Sequence, residues 1–276
     1  MRDDSHSHLT RFAEHELASR VVSALGLALL ALGATVLGGI AFALFWAAAA
    51  VFFFAEFLKM IGYQPLTTGA AVGAIGLTGA AIGVERSAPL AAAAALLIAA
   101  IVIAARAEKR SSGVIGASGL AYAACVVLPV VILRSLPVHG LGVTLWLYAL
   151  VWTTDIGAFF IGRGLGGPKL WPRISPKKTW SGFVGGTFAG VAIAMLVNAT
   201  ASVVPLSSPA VLALSFAASL SVHAGDFFES ALKRNYGVKD SSKLIPGHGG
   251  FMDRLDGFAV ASVTIIGALK LSGHLG

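Results

Sequence analysis

Residues 21–58 read VVSALGLALLALGATVLGGIAFALFWAAAAVFFFAEFL, with no charged side chain before Glu56. A helix crosses the hydrocarbon core of a bilayer in roughly 20 residues. This run is too long for one upright span, and Gly38-Gly39 is its natural break, so it predicts two membrane helices. Residues 1–20 are polar. The apolar stretch after them continues into a second span, which argues for a retained helix and against a cleavable signal peptide.

The whole chain has the same character. Of its 276 residues, 57% are hydrophobic and 12% charged, whereas soluble domains carry about 25% charged residues. That balance argues against an ordinary water-soluble enzyme and excludes a disordered chain. A single cysteine, Cys125, excludes a disulfide scaffold and a cysteine-ligated zinc site. The formal net charge is +7; in a membrane protein the placement of those charges matters more than their sum.

Nine apolar segments follow, at roughly 21–38, 40–58, 66–84, 88–105, 113–133, 140–162, 183–205, 208–232 and 257–273. The third carries Gly69 and Gly73, then Gly79 and Gly83, at the four-residue spacing that lets helix backbones approach closely, within a subunit or between two. The fourth is mostly alanine and weakly hydrophobic. With the N-terminus in the cytoplasm, 17 Lys and Arg fall on inside segments and 3 (Arg86, Arg134 and Lys270) on outside ones, a strong positive-inside bias. An eight-span topology would put one of the two long basic loops outside. The expected fold is therefore an all-α integral membrane protein of about nine transmembrane helices, N-terminus cytoplasmic and C-terminus outside. Its parts are a cytoplasmic segment (1–20), packing and dimerisation helices (21–110) and a catalytic region (111–276) with cytoplasmic loops 163–182 and 233–256. The compact architecture suits a bacterial inner membrane.

Ionisable residues in spans are costly and point to function. Glu56 lies beside Lys59 at i, i+3, which predicts an interfacial ion pair. Asp155 could cap a broken helix or hold a cation. Asp226, Glu229 and Lys233 recur at i, i+3, i+7 and share one helical face. Asp253 and Asp256 do the same at the start of the last helix. Clustered carboxylates with little His suit a hard cation such as Mg²⁺; a solvated interfacial loop is the alternative. Pro246-Gly-His-Gly-Gly250 supplies backbone N–H groups that could meet a phosphate just before a helix N-terminus. The other long loop carries five basic residues, Arg163, Lys169, Arg173, Lys177 and Lys178, and no acid. It could hold an anionic lipid surface at about 1 kcal/mol per basic residue, or grip a polyphosphate through Lys177, Lys178 and Thr179. Together the loops hold the components of phosphoryl or nucleotidyl transfer to a lipid.

The run from Ser230 to Asp256 closely resembles the signature of the phosphatidate cytidylyltransferases (CDP-diacylglycerol synthases). It has Ser230, Lys233-Arg234, Lys239-Asp240, then Ile245-Pro-x-His248-Gly249-Gly250-x-x-Asp253-Arg254-x-Asp256. Asp155-x-Gly-Ala-Phe-Phe-x-Gly-Arg163, Ser175-Pro-Lys-Lys-Thr-Trp180 and Gly225-Asp226-x-x-Glu229-Ser230 are also similar to that family. Ser181 stands where many members have Glu, and His223 where Gln is frequent. The resemblance implies CTP plus phosphatidate giving CDP-diacylglycerol and pyrophosphate, with Mg²⁺ as cofactor and a monovalent cation such as K⁺ as a second candidate. It implies Asp226 and Asp253 as the leading metal ligands, then Asp256 and Glu229. Lys177 and Lys178, flanked by Ser175 and Thr179, would hold the triphosphate or the lipid phosphate. Lys233, Arg234, Lys239 and Arg254 would neutralise phosphates. Gly249 and Gly250 would allow close backbone approach, and His248 would donate to an oxyanion or fix the loop. A homodimer in membrane lipid is implied, and no nucleic acid partner.

A CTP-dependent lipid kinase, or a cytidylyltransferase acting on another lipid phosphate, would share these loops; the nucleotide product, CDP or pyrophosphate, separates the first case. A transporter places such acids near the midplane in repeated halves, whereas here the charge gathers at one face and no repeat is visible. The aspartate pattern of CDP-alcohol phosphotransferases is absent.

Overall fold

The computed structural model describes residues 21–242, 244–245 and 249–274. The N-terminal segment 1–20, Lys243 and His248 lie outside the described residues. Nine long helices occur among those described: α1 (Val21–Leu37), α2 (Gly39–Met60), α3 (Leu66–Glu85), α4 (Pro89–Arg106), α5 (Arg110–Arg134), α6 (Gly140–Leu165), α7 (Trp180–Ala201), α8 (Ser208–Asn235) and α9 (Met252–Leu271). Helices α2 to α8 are each long and apolar enough to cross a membrane. The chain is a multi-pass membrane protein. Helix α1 is apolar and shorter; α9 carries Asp253, Arg254, Asp256 and Lys270.

The break in the opening run falls where the sequence predicts it. Gly38 and Gly39 both adopt positive φ, +64° and +58°, a backbone that only glycine takes without penalty. The guanidinium of Arg134 fills the space a Cβ at Gly38 would occupy, and its Nε donates to Thr35 O at 2.7 Å. The alanine-rich fourth segment forms α4, opening on Pro89 in its first turn. The glycines of α3 face inward within this chain. A Cβ at Gly73 would strike the Phe54 ring of α2, one at Gly76 would meet Ala99 of α4 at 2.5 Å, and one at Gly83 the backbone of Ala92 at 2.9 Å.

The core is continuous from α1 to α9. Trp46 of α2 stacks on Phe258 of α9, centroids 4.5 Å apart, and its indole N–H donates to Tyr148 Oη of α6 at 3.1 Å. Thr35 of α1 reaches the same hydroxyl at 3.0 Å. Trp146 of α6 donates to Ala194 O of α7 at 2.9 Å, and Thr154 of α6 pairs with Ser219 of α8 at 2.9 Å. These bonds satisfy polar groups that would otherwise be stranded away from water.

Helix ends shift by a few residues from the sequence reading, and two starts and one element bear on the site. The loop 163–182 is partly ordered as an antiparallel hairpin, β1 (Lys169–Trp171) and β2 (Ser175–Thr179), with Lys169 opposite Thr179 and Trp171 opposite Ser175. The fold is therefore helical with one small hairpin. Helix α7 starts at Trp180, because the Thr179 hydroxyl accepts from Gly182 N at 3.2 Å and caps it. Helix α9 starts at Met252, five residues earlier than the apolar pattern indicates, so Asp253 and Arg254 lie in its first turn. Its cap comes from another helix, as described next.

Candidate active site

Helices α6 and α7 touch through glycines. A Cβ at Gly186 would lie 2.6 Å from Thr154 O, one at Gly182 2.6 Å from Ala158 O, and one at Gly157 3.0 Å from Ala189 Cβ. This close approach swings the β1–β2 hairpin over the end of α8. Trp171 of the hairpin lies 6.2 Å from Phe227, and Arg234 Nε donates to Ile174 O at 3.4 Å. The two long loops therefore meet on one face of the helix bundle.

Under the hairpin, among α6, α7 and α8, lies a cavity of about 600 Å³, in the range of small-molecule sites. Lys169, Lys177 and Lys178 of the hairpin, Arg163 and Asp155 of α6, and Asp226 of α8 line it. Lys178 pairs with Asp226 and sits 4.7 Å from the centroid of the Phe227 ring. Asp226 is only partly covered, at 21% side-chain exposure. His223, one turn earlier on α8, is 3% exposed and lines the same cavity. Its Nε2 has no hydrogen-bond partner among the described residues and faces a cavity where a ligand could meet it.

A second network holds the loop after α8. Glu56, 3% exposed, receives four donors from that loop. Its Oε1 accepts from Ser242 Oγ at 2.6 Å and Phe251 N at 3.0 Å. Its Oε2 accepts from Ser241 Oγ at 2.9 Å and Met252 N at 2.9 Å. The two backbone donors, Phe251 N and Met252 N, stand at the N-cap and first position of α9, so a carboxylate from α2 caps α9 and complements its dipole. This corrects the expected Glu56–Lys59 ion pair: Lys59 is exposed and is not a partner of Glu56. The donors of a folded-back loop outcompete a solvated lysine for a carboxylate that is buried.

Asp253 belongs to this network. Its Oδ2 accepts from Ser241 N at 3.1 Å and Gly250 N at 2.8 Å, and the single Ser241 hydroxyl proton, with Oγ 2.9 Å from this oxygen and 2.9 Å from Glu56 Oε2, is shared between the two carboxylates. Its Oδ1 takes Lys233 Nζ at 2.5 Å. The same ammonium reaches Glu229 Oε2 at 2.6 Å, and Glu229 is 1% exposed. Gly249 has φ +82°, and its carbonyl accepts from Ile245 N at 2.8 Å. A Cβ at Gly250 would collide with Ser241 Oγ and Glu56 Oε2. The two glycines thus admit close approach of the protein's own carboxylates. Gly250→Ala is expected to cost about 2 kcal/mol of stability, the usual size of an overpacking penalty, and to lower the thermal midpoint of the purified protein and its turnover together.

The sequence-predicted residues divide accordingly. Lys177, Lys178, Thr179 and Asp226 line the cavity. The Thr179 hydroxyl is also the cap of α7, and Ser175 lies in β2 without lining the cavity. Asp256 is 8% exposed. It lies one turn from Asp253, next to Gly257, where a Cβ would sit 3.1 Å from Asp226 Oδ1. Lys233, Glu229 and Asp253 form one cluster. Arg234 braces the hairpin, Lys239 is exposed beyond α8, and Arg254 faces a neighbouring apolar cavity. Among the described residues no three acidic, His or Cys side chains form a closed metal cage.

The chain matches the family described as "Cytidylyltransferase family" over residues 18–271. The phosphatidate cytidylyltransferase of Brucella suis biovar 1 (strain 1330) is 37% identical over 251 residues, which cover 90% of this chain and 92% of that protein. That of Bacillus subtilis (strain 168) is 42% identical over 126 residues, 46% of each chain. That of Staphylococcus aureus (strain COL) is 43% identical over 122 residues, covering 44% of this chain and 46% of that one.

Proposed function

The chain belongs to the cytidylyltransferase family, and from that premise we propose that it transfers the cytidylyl group of CTP to phosphatidate, giving CDP-diacylglycerol and pyrophosphate. The observation that carries this reading is the cavity in which Lys177 and Lys178 of the hairpin face Asp226 of α8. A phosphate oxygen of phosphatidate attacks the α-phosphorus of CTP. The bond from that phosphorus to the α–β bridging oxygen breaks, and pyrophosphate leaves with its electron pair. A phosphomonoester is ionised near neutral pH, so the nucleophile needs no strong base. The barrier lies in bringing two anions together and stabilising the leaving group. Lys169, Lys177, Lys178 and Arg163 supply positive charge around the cavity, and the apolar span of α8 positions Asp226 among them.

Mg²⁺ fits this donor set. Asp226 presents a carboxylate to the cavity, Asp155 lines the same wall, and Asp256 lies behind. An ion that keeps several waters and binds one or two carboxylates plus substrate phosphates needs no closed protein cage. When bound it would neutralise phosphate charge. Asp253 reaches such an ion only by giving up bonds from Lys233, Ser241 and Gly250.

In the membrane, all nine helices span, with the N-terminus cytoplasmic, the C-terminus outside and both loops facing the cytoplasm of a bacterial inner membrane. The charge bias supports this orientation, as does the meeting of the two loops on one face. The test is incubation of purified protein with labelled CTP, phosphatidate and Mg²⁺. Labelled CDP-diacylglycerol and pyrophosphate are expected, and EDTA should abolish both. Labelled CDP with a phosphorylated lipid would instead make the protein a kinase.

A further inference from the structure

A second cavity, of about 450 Å³, shares Asp155 with the first. It runs between α1 on one side and α2, α6 and α9 on the other. Ala24, Ala28 and Ala31, with Leu25 and Leu27, line it from α1, while Trp46 and Tyr148 line its deep end. Arg254, from the first turn of α9, stands at its other end, on the side of the two loops. Along α1 the step from Ala24 to Ala31 is about 10 Å.

Helix α1 is anchored at one end. Its C-terminal end is held by Thr35, bonded to Tyr148 at 3.0 Å, and by Arg134 on Thr35 O at 2.7 Å. Towards its N-terminal end Val22 and Leu25 are exposed, and there the slot lies open beside it.

The geometry points to this groove as the seat of an acyl chain of the lipid phosphate substrate, with the alanine face of α1 setting its width. The inference rests on the lipid-phosphate reading above. An apolar slot about 10 Å deep, with a guanidinium at its mouth and a wall shared with the polar cavity, matches a lipid acid: the chain enters the slot and the phosphate stays at the rim, beside the nucleotide. A free nucleotide has no apolar part to fill the slot, and a lipid without a phosphomonoester gains nothing special from Arg254.

Two measurements test it. Phosphatidate with a photoactivatable group in its acyl chain should label α1 and α9 peptides around Ala28 and Phe258, and unlabelled phosphatidate should compete while phosphatidylcholine does not. Ala28→Phe should raise the KM for dioleoyl phosphatidate about tenfold, the loss expected from uncovering about two methylenes, with CTP binding unchanged. Leu97→Phe, on the exposed face of α4, should behave as wild type. Retained CTP binding and a monodisperse elution profile show that Ala28→Phe has folded. If it has not, the labelling pattern of the wild-type protein decides. Labelling elsewhere, equal competition by phosphatidylcholine, or an unchanged KM in folded Ala28→Phe overturns the inference and leaves cytidylyl transfer standing. Failure of wild type to form CDP-diacylglycerol from any phosphatidate instead removes the reading beneath it.

Discussion

Asp226→Asn is expected to lower CDP-diacylglycerol formation by about 10³-fold, the scale of losing one preorganised electrostatic element at a reacting phosphate. The substitution keeps the size of the side chain and removes its charge. Asp226 is partly open and faces the cavity under the hairpin, so asparagine there strands no buried group and the protein should insert and fold normally. What is lost is the carboxylate that pairs with Lys178 and the ligand best placed for Mg²⁺. The variant should need more Mg²⁺ for whatever turnover survives. The assay is product formation from labelled CTP across a Mg²⁺ titration, with thermal unfolding as the control for folding. Turnover near wild type at ordinary Mg²⁺ would take Asp226 out of the site.

The second large effect is expected at Glu56, where it acts on architecture first and on activity through it. A carboxylate offers two acceptor oxygens, and here each takes two donors. Glutamine offers one acceptor and turns an NH₂ group towards the other two donors. On either side one of the two donors is a serine hydroxyl, which can turn and accept from that NH₂, so Glu56→Gln leaves one backbone N–H unsatisfied and the loss should be about 1–3 kcal/mol. An exposed ion pair with Lys59 would be worth at most about 1 kcal/mol, so the size of the loss discriminates between the two arrangements. Turnover should fall with stability, because Asp253, Arg254 and Asp256 follow directly on the backbone that Glu56 caps. Glu56→Asp, which keeps both acceptors, should recover part of both. Thermal unfolding and kcat measured on the two variants check this; a glutamine variant as stable and active as wild type would refute the capping role.

The two carboxylates show different kinds of legibility. Asp226 stands in a motif that resembles a known signature, and its position at the end of an apolar segment marks it as costly and therefore functional. The Glu229–Lys233 contact is also local, one helical turn apart. The partner of Asp226, by contrast, is Lys178 on the hairpin, and the second partner of Lys233 is Asp253, twenty residues on across a turn. Glu56 shows the limit most clearly: its spacing to Lys59 is visible in the chain, whereas Ser241, 185 residues away, is not. The hairpin at 169–179 escaped because its strands hold Pro, Lys and Ser, with no alternation of apolar and polar side chains for a strand pattern to register.

The sequence by itself determined that the chain is a multi-pass helical membrane protein and roughly where its long helices lie. In hydrocarbon each backbone polar group must be satisfied within its own helix and charge is expelled to the ends, so composition along the chain suffices to place the helices. It also placed the basic and acidic loops and their chemical type. The tertiary structure alone decided which carboxylate meets which donor. Such a pairing depends on elements distant in the chain packing at particular angles, and a buried carboxylate takes whichever donors the fold brings within about 3 Å.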